Sequence, residues 1–481
     1  MTEASPSGMT VRFGRRPTRG LLLGFSTPRC AALGAAAAVV VAAMLFAGLV
    51  GLAVSAVAWG PLTASAFVRV GGRPAVEWAP VAGRFALRRL AGQHEYRARV
   101  TKPRPQGSLA LPGDAAALRL WVDQPTGAAM VHDPHRQTLT AVAGVSHPAF
   151  VLLSPADQAA RVAGWGRVLA GLAHAGVCAA VQVTEATIPD PGTGLTAWWD
   201  AHGHHGGGWA STQYAELLET ARLGSSTHRS TVSLSLDMKA ASRQIRASGR
   251  GVKGAAAVLR GEMVNLEHQL RAAELRLDGW LNRGDLGLLV RNSYDPAAGL
   301  TAGAAGADPA HAGPLAVSEH WDRLRHDTGW SSVLWVAEWP RIDVRPDFLH
   351  ALIFTPSVRK VISLVARPVG VAEALRQIRV EKTGAVADAA QKAKIGQIAD
   401  LSDRQEYEDV LSRERALIAG HAEVEFSGFV TVTAATSSGL DAAVAAVSRA
   451  ATQCACELRP LYGRQAQGFI TAALPLARST L

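Results

Sequence analysis

One long stretch without charged side chains dominates the hydropathy pattern of this chain. From Cys30 to Val68, 39 consecutive residues contain no Asp, Glu, Lys or Arg. A single helix of that length would be about 58 Å long at about 1.5 Å per residue, nearly twice the ~30 Å thickness of bilayer hydrocarbon. Two glycines within 47–51 give a natural break, so the pattern predicts two Ala-rich membrane-spanning helices, 30–47 and 52–68, packed as a hairpin. A buried helical hairpin in a soluble protein is the alternative.

Arginines flank this stretch on both sides and predict its orientation. Positively charged residues beside membrane spans stay in the cytoplasm. A single span would place one of the two clusters outside, whereas a hairpin returns both. We therefore expect a plasma-membrane protein that crosses twice through 30–68, with its basic N-terminus (1–29) and its large C-terminal part in the cytoplasm. Such residues also attract anionic lipid. The arginines assigned to this role are Arg12, Arg15, Arg16, Arg19, Arg29, Arg69, Arg73, Arg84, Arg88 and Arg89.

Beyond a basic juxtamembrane linker (69–107), strand-like and helix-like patterns alternate. Residues 118–123 and 138–142 alternate between apolar and polar side chains at period two, which is typical of half-buried strands. Ser154 can cap a helix that Gly176 can end. The region therefore predicts an α+β fold.

The pattern of the first half is echoed in the second. The echo pairs 230–237 with 429–433 and 274–278 with 457–461. It predicts two tandem ferredoxin-like α+β sandwich modules, 108–297 and 317–481, joined by an Ala/Gly/Pro-rich linker at 298–316. Parallel βαβ units are the alternative for the same pattern. Within the second module, the polar stretch 371–420 predicts an arm of two consecutive helices, which either reaches a partner or forms a solvated surface pair.

Composition agrees with a folded protein and limits the role of its basic charge. Hydrophobic residues make up 48% of the chain and charged residues 18%, unlike a disordered protein. The net charge is +10, but the first 104 residues carry fourteen basic and three acidic side chains, and the remainder is nearly balanced. We therefore expect no direct sequence-specific binding of nucleic acid. The four cysteines are too few and too irregularly spaced for a disulfide framework, and we expect free thiols.

The motifs of catalytic sites are weak in this sequence. The phosphate-binding loop of nucleotide-dependent motors is absent, as is the Gly-x-Ser-x-Gly nucleophile elbow. Residues 249–254 match the dinucleotide-binding pattern of glycines, but about ten residues separate them from the preceding predicted strand, where the motif needs a tight turn. The sequence therefore predicts no catalytic residue and no cofactor, and the protein is expected not to be an enzyme.

Histidines and tryptophans cluster at three places in the sequence that are candidates for metal, catalytic or binding sites. His202, His204 and His205 follow Asp200 in a Gly-rich loop, which lacks the rigid ligands of a typical metal site. His320, His326 and Asp327 lie close in sequence, as chance allows in a chain with 15 histidines. Four tryptophans between residues 321 and 339 could mark a binding surface, although packing in the core is the simpler explanation. We therefore assign no metal site and no catalytic cluster.

Five short sequence segments resemble those of one known family. They are 290–296 (VRNSYDP), 320–330 (HWDRLRHDTGW), 335–341 (WVAEWPR), 458–463 (LRPLYG) and 469–475 (FITAALP). They resemble an actinobacterial family of membrane proteins from conjugative, type IV-like transfer loci. That family is in turn similar to a small hairpin subunit joined to the non-ATPase amino-terminal half of conjugation ATPases. The resemblance implies a non-catalytic, membrane-anchored scaffold that docks a separately encoded cytoplasmic ATPase and contacts channel subunits, and it leaves a homo-oligomer open.

Two alternatives keep the membrane anchor and change the role. The first is a component similar to EccE of type VII secretion, which also has two N-terminal spans and a basic cytoplasmic flank. The second is a membrane-tethered enzyme that uses a metal bound by His202, His204 and His205.

Overall fold

The computed structural model describes residue 13 and the ranges 25–99, 101, 107–146, 150–189, 193–203, 206–221, 226–298, 308–394 and 401–478. The described residues form two compact units. The large unit comprises Phe13 and the described residues of Glu95–Leu461 and Gln465–Leu481. The small unit comprises the described residues of Arg15–His94 and Tyr462–Arg464.

Helices and strands alternate through most of the described chain. The helices are α1 (Thr27–Phe67), α2 (Ala75–Leu90), α3 (Pro155–Ala175), α4 (Thr193–His202), α5 (Trp209–Ala221), α6 (Ser242–Ala247), α7 (Gly251–Ala272), α8 (Arg283–Tyr294), α9 (Pro309–Ala312), α10 (His350–Ile353), α11 (Val371–Lys394), α12 (Leu401–Ile418), α13 (Ser437–Gln453) and α14 (Gln465–Ala472). The strands are β1 (Arg69–Val70), β2 (Arg73–Pro74), β3 (Glu95–Arg97), β4 (Arg119–Val122), β5 (Ala129–Asp133), β6 (Thr138–Ser146), β7 (Cys178–Pro189), β8 (Ser226–Asp237), β9 (Arg276–Trp280), β10 (Ala316–Glu319), β11 (Leu324–His326), β12 (Gly329–Glu338), β13 (Arg359–Val369), β14 (Glu423–Ala434) and β15 (Glu457–Pro460).

The small unit is built around α1, which is interrupted at Gly48. The backbone there leaves the helical region with φ of 58°, a conformation that glycine adopts readily. The rings of Phe25 and Phe67, at the two ends of α1, lie 6.3 Å apart. A straight helix of 41 residues would be about 60 Å long, so α1 bends back on itself at Gly48. This position lies within 47–51, where the sequence predicts a break.

The membrane prediction for this segment is supported at a coarse level. α1 is long and apolar enough to cross a membrane, and none of its most apolar window is buried within the protein.

The segment 69–107, expected to be a linker, contains α2 and the short strands on either side of it. The apolar and arginine side chains of this segment recur with the period of an amphipathic helix. The linker prediction took account of the charges alone and missed this helix.

In the large unit, the described residues form one 13-stranded sheet in which neighbouring strands are antiparallel. The main path is β3-β10-β11-β12-β14-β13-β7-β8-β6-β5-β4, with β15 also paired to β12 and β9 to β6. Strands β4–β9 form one set and strands β10–β15 the other. The sets join where β7 pairs with β13, from Lys360 opposite Thr187 to Ala366 opposite Val181. The alternative of parallel βαβ units is therefore wrong.

The two strand sets have the same internal order. The first runs β9-β6-β8-β7 and the second β15-β12-β14-β13, with a hairpin partner, β5 or β11, beside the first strand of each. In each set a helix leads from the first strand to the second and another from the third to the fourth. The echo noted in the sequence falls on equivalent strands, β8 with β14 and β9 with β15. Helices α4–α5 and α11–α12 occupy equivalent insertions between the second and third strands.

Both faces of the sheet are covered. On one face α3 and α7 pack on the first set, through side chains such as Leu172 and Leu259, and α13 packs on the second set. The predicted caps of α3 are present. The Ser154 side chain accepts a hydrogen bond from the N–H of Asp157, and the backbone of Gly176 adopts the left-handed conformation that ends the helix. On the other face α8, α14 and the segment 473–478 enclose a second core.

Tyr294 lies in this second core and gives a test of its packing. Its side chain is fully buried against the ring of Phe469, with centroids 4.8 Å apart, and its hydroxyl has no partner among the described atoms. Burial also raises the pKa of this hydroxyl. An unsatisfied buried hydroxyl is destabilising, so Tyr294→Phe is expected to raise the free energy of unfolding by about 1 kcal/mol.

Urea unfolding of the full chain in mild detergent, followed by tryptophan fluorescence, measures this change. Tyr96→Phe is the matched control, since the Tyr96 hydroxyl donates to the carbonyl of Ala110 and its loss should bring no gain. A less stable Tyr294→Phe protein would contradict the packing described.

Candidate functional site

The flanking arginines divide into buried and exposed groups. Arg12, Arg15, Arg16 and Arg19 lie outside the described residues. Arg29 is largely buried, with its Nε 3.9 Å from a carboxylate oxygen of Glu77 and its guanidinium 5.9 Å from the ring centroid of Phe25. Since Ser26 also donates to Glu77, this pair fixes the start of α1 against α2. Arg29 therefore has a structural role within the small unit.

The remaining arginines surround α2. Arg69, Arg84 and Arg89 are exposed, and Arg73 is half-buried. Arg88 donates to the carbonyl of Gly463, a hydrogen bond within the small unit. These exposed charges remain available to a lipid surface.

α2 also carries an uncovered apolar stripe. Gly83, Ala86, Leu87 and Leu90 follow the i, i+3, i+4, i+7 spacing of one helix face. All four are exposed, Leu87 by 68% and Leu90 by 86%. At about 100° per residue, Arg84 and Arg89 lie on opposite sides of this stripe. An apolar face bordered by arginines is the pattern of helices that lie in a membrane interface.

Phe13 ties the start of the chain to the large unit. Its ring stacks on Trp339 with centroids 5.1 Å apart, and it contacts the rings of Phe348 and Phe426. A Cβ at Gly428 would come within 2.6 Å of the Trp339 ring, so glycine there allows the tryptophan to lie against β14. The chain thus contributes to the large unit both before and after the small unit.

The predicted histidine loop shows no ligand set where the structure describes it. His204 and His205 lie outside the described residues. His202 ends α4, where its Nδ1 is 3.1 Å from the carbonyl of Trp198 and its ring stacks on that indole. Within the described ranges, no group of three or more His, Cys, Asp or Glu side chains is placed to hold a metal ion.

The glycine pattern at 249–254 has a packing explanation. α7 begins at Gly251, and a Cβ at Gly254 would come within 2.4 Å of the carbonyl oxygen of Ile245 in α6. Glycine is therefore needed there for α6 and α7 to approach each other.

Most members of the other sequence clusters lie in or against the cores, whereas His320 is exposed. His326 is fully buried between the carbonyl of Tyr294, 2.6 Å from its Nδ1, and the hydroxyl of Ser331, 2.7 Å from its Nε2. Burial lowers the pKa of His326. Asp327 accepts from the N–H groups of Leu315 and Ala316. Three of the four clustered tryptophans, at 330, 335 and 339, pack against the cores, in agreement with the simpler explanation.

The four cysteines are free. Burial raises the pKa of the Cys178 thiol to about 12 and that of Cys456 to about 12. Both thiols therefore remain protonated at neutral pH, which makes them poor nucleophiles.

A cavity at the junction of the strand sets, lined by polar and apolar side chains, was not predicted from the sequence. It has a volume of about 60 Å³ and lies between the ends of β7, β8, β13 and β14 and the helices α8 and α14. Its lining consists of Thr184, Ala186, Thr187, Ile188, Arg229, Thr231, Leu289, Asn292, Ser293, Arg359, Lys360, Val361, Thr431, Thr433, Phe469, Ala473 and Pro475. We call it the junction cavity.

Hydrogen bonds hold part of this lining in place. The hydroxyls of Thr184 and Thr231 are paired across β7 and β8 at 2.5 Å. Thr433 is bonded to Ser331 at 2.7 Å, and Ser331 to the buried His326. The cavity wall is therefore continuous with the polar network of the core.

No protein-family model matches the chain, and the search of curated proteins finds no match.

Proposed function

We propose that this protein is a membrane-anchored, non-catalytic scaffold of a conjugation or secretion apparatus, docking a separately encoded cytoplasmic ATPase. The observation that carries the anchor is the path of the chain. It contributes Phe13 to the large unit, passes through the small unit with its apolar helix, and returns to the large unit at Glu95. An apolar segment that leaves a folded unit and comes back to it crosses a bilayer an even number of times.

A transmembrane hairpin satisfies this requirement. The bend at Gly48 and the proximity of Phe25 to Phe67 support two antiparallel spans of about twenty residues each. Arginines on both flanks support a cytoplasmic N-terminus and a cytoplasmic large unit in this proposal. The stripe of α2, with Arg84 and Arg89 at its borders, supports placing this helix in the headgroup region beside the spans.

Each strand set is, in this proposal, a ferredoxin-like module. The βαββαβ order with strands arranged 4-1-3-2 in an antiparallel sheet supports this, since β9-β6-β8-β7 and β15-β12-β14-β13 both follow it. The fold alone carries no activity, and the docking role rests on the resemblance to conjugation proteins.

The equivalent helical insertions are the surfaces that we assign to docking. Exposed apolar side chains on α5 and α11 include Trp209, exposed by 80%, and Val380, exposed by 67%. Arg413 of α12 bridges Glu381 of α11 and Glu423 of β14, which fixes the second insertion on the sheet. Exposed apolar groups, above all tryptophan, are enriched in protein interfaces.

The anchor is tested by its topology. Fluorescent-protein fusions at both termini should fluoresce, because the reporter folds in the cytoplasm, whereas an alkaline phosphatase inserted after Gly48 should be active because it lies outside. An inactive phosphatase at Gly48, with both termini protected from protease added outside the cell, would mean that the segment does not cross and would contradict the hairpin. A fluorescent reporter at Gly48 would contradict it as well.

The docking role needs a separate experiment. Affinity purification from mild-detergent membranes should recover a transfer ATPase and channel subunits. The matched variants Trp209→Glu and Val380→Glu should lose the ATPase while keeping the protein in the membrane, whereas Arg276→Gln on the exposed part of β9 should not. Recovery of neither ATPase nor channel subunits by the wild-type protein would overturn the proposal, and recovery of type VII subunits would favour the EccE-like alternative.

A further inference from the structure

We propose that the junction cavity binds a small oxyanion, either inorganic phosphate or the phosphate or carboxylate group of a small ligand. This inference is independent of the membrane and docking proposals, because it rests only on residues of the large unit. It assigns a ligand to the place where the two strand sets join.

The charge of the lining points to an anion. Arg229 and Arg359 contribute two cationic side chains, and the described lining contains no Asp or Glu. Arg359 donates to the carbonyls of Asn292 and Pro296, but no carboxylate lies within 4.0 Å of its guanidinium among the described residues. The charge of Asp295 acts on this guanidinium from beyond that distance, so its N–H groups have no direct anionic partner among the described residues, and a bound oxyanion would supply one.

Two buried polar groups at the cavity lack partners. The side-chain amide of Asn292, in α8, has neither its nitrogen nor its oxygen hydrogen-bonded, although the residue is only 7% exposed. The hydroxyl of Thr431, in β14, is also unpaired in a residue that is 1% exposed. Buried groups of this kind normally have partners. Both can donate to an oxyanion, so one ligand would satisfy groups from opposite walls.

The side chain of Lys360 lies on the opposite face of the sheet, because side chains alternate along β13 and its neighbours Arg359 and Val361 face the cavity. Its ammonium donates to the carbonyl of Thr355, which follows α10, at 2.9 Å. The cations that face the cavity are therefore Arg229 and Arg359.

The size and walls of the cavity limit the ligand. A volume of about 60 Å³ suits a single oxyanion, since one water occupies about 30 Å³ in the liquid and drug-sized ligands occupy pockets of about 300–1,000 Å³. Phe469, Leu289 and Pro475 supply apolar wall, which strengthens charge-assisted hydrogen bonds by excluding water. Arg229 is exposed, so it is the cation that a ligand from solvent would meet first.

Binding should also stabilise the junction. The lining comes from β7 and β8 of one strand set, β13 and β14 of the other, and the helices that cover both. A ligand that contacts both sets raises the stability of the folded state in proportion to the logarithm of its concentration above Kd.

The test is a titration of the full chain in mild detergent with sodium phosphate, with sodium acetate in a parallel series and sodium chloride at matched ionic strength as the salt control. Calorimetric titration and the thermal midpoint are both measured. We expect saturable binding and a rising midpoint with phosphate or acetate and not with chloride. Acetate alone would identify a carboxylate ligand, and phosphate alone a phosphate ligand.

Three variants make the assignment specific. Arg229→Gln should weaken binding at least tenfold, while Arg276→Gln on the exposed part of β9 should bind as the wild type does. Thr431→Val should keep or raise the midpoint without ligand, because it removes an unpaired hydroxyl, and should still lose affinity for the anion. No saturable binding by the wild type, or equal affinities for Arg229→Gln and Arg276→Gln, would overturn the proposal.

Discussion

Replacing Arg478 with methionine is expected to lower the free energy of unfolding of the large unit by about 3 kcal/mol. Arg478 is 5% exposed, and its guanidinium contacts Asp133 at 3.0 Å and Asp114 at 3.1 Å. The Asp133 side chain is itself 4% exposed, so the substitution leaves a buried carboxylate without its main cation. Arg136, 3.9 Å from the same carboxylate, offsets part of the loss.

Chemical denaturation in detergent, monitored by the near-ultraviolet signal, measures the change. The double variant Arg478→Met with Asp133→Asn should recover much of the loss, because the neutral amide still accepts from the backbone N–H groups of His135 and Arg136. A loss below about 1 kcal/mol for the single variant would mean that the charge pair is solvated and the C-terminal segment loosely held.

Gln182→Leu is expected to have a comparable effect, a loss of about 3 kcal/mol or more. The Gln182 side chain is fully buried in β7, donating to Ser363 at 2.8 Å and to the carbonyl of Thr471 at 2.8 Å. Its oxygen accepts from the N–H of Ala477 at 2.6 Å. Leucine fills the space but leaves these groups unpaired, at about 1–3 kcal/mol for each buried group.

The same denaturation experiment applies, with Gln213→Leu as the matched control. Gln213 is exposed on α5 and donates to Glu216 alone, so its replacement should change stability by less than about 0.5 kcal/mol. Equal losses for the two variants would contradict the role of Gln182 in holding the C-terminal segment on the sheet.

Local patterns in the sequence identified the features that depend on neighbours along the chain. The charge-free stretch predicted the apolar helix and the position of its break, and Ser154 and Gly176 marked the ends of α3. Period-two alternation at 118–123 and 138–142 located β4 and β6, because side chains in a strand point alternately to its two faces. The echo between the halves fell on equivalent strands for the same reason.

The burial of a polar strand face was not predicted from the sequence. In β8, Ser233 and Ser235 alternate with valine and leucine as in a strand exposed on one side, yet both are at most 1% exposed. Ser233 donates to the carbonyl of Pro475, and Ser235 is bonded to Thr140. Hydrogen bonds made after folding permit this burial, and no local pattern reveals them.

The junction cavity was unpredictable for a related reason. Asn292, Arg359 and Thr431 lie far apart in the sequence and meet because β13 pairs with β14 and α8 lies against both strands. The pairing of β7 with β13 adds Thr184 from the other strand set. Each residue is ordinary within its own segment. The pairing depends on the register between two long strands more than 170 residues apart, as Thr187 opposite Lys360 illustrates.

The matching order of the two strand sets about β7 and β13 is the arrangement of a symmetric dimer contained in one polypeptide. In a true homodimer, any substitution near the symmetry axis appears twice, so both walls of an axial site must change together. Here the two copies are covalently linked, and each wall can change alone. One side of the junction can therefore present Arg229 from β8 while the other presents Arg359 from β13. A junction formed within one chain is therefore a surface whose two sides can differ in sequence.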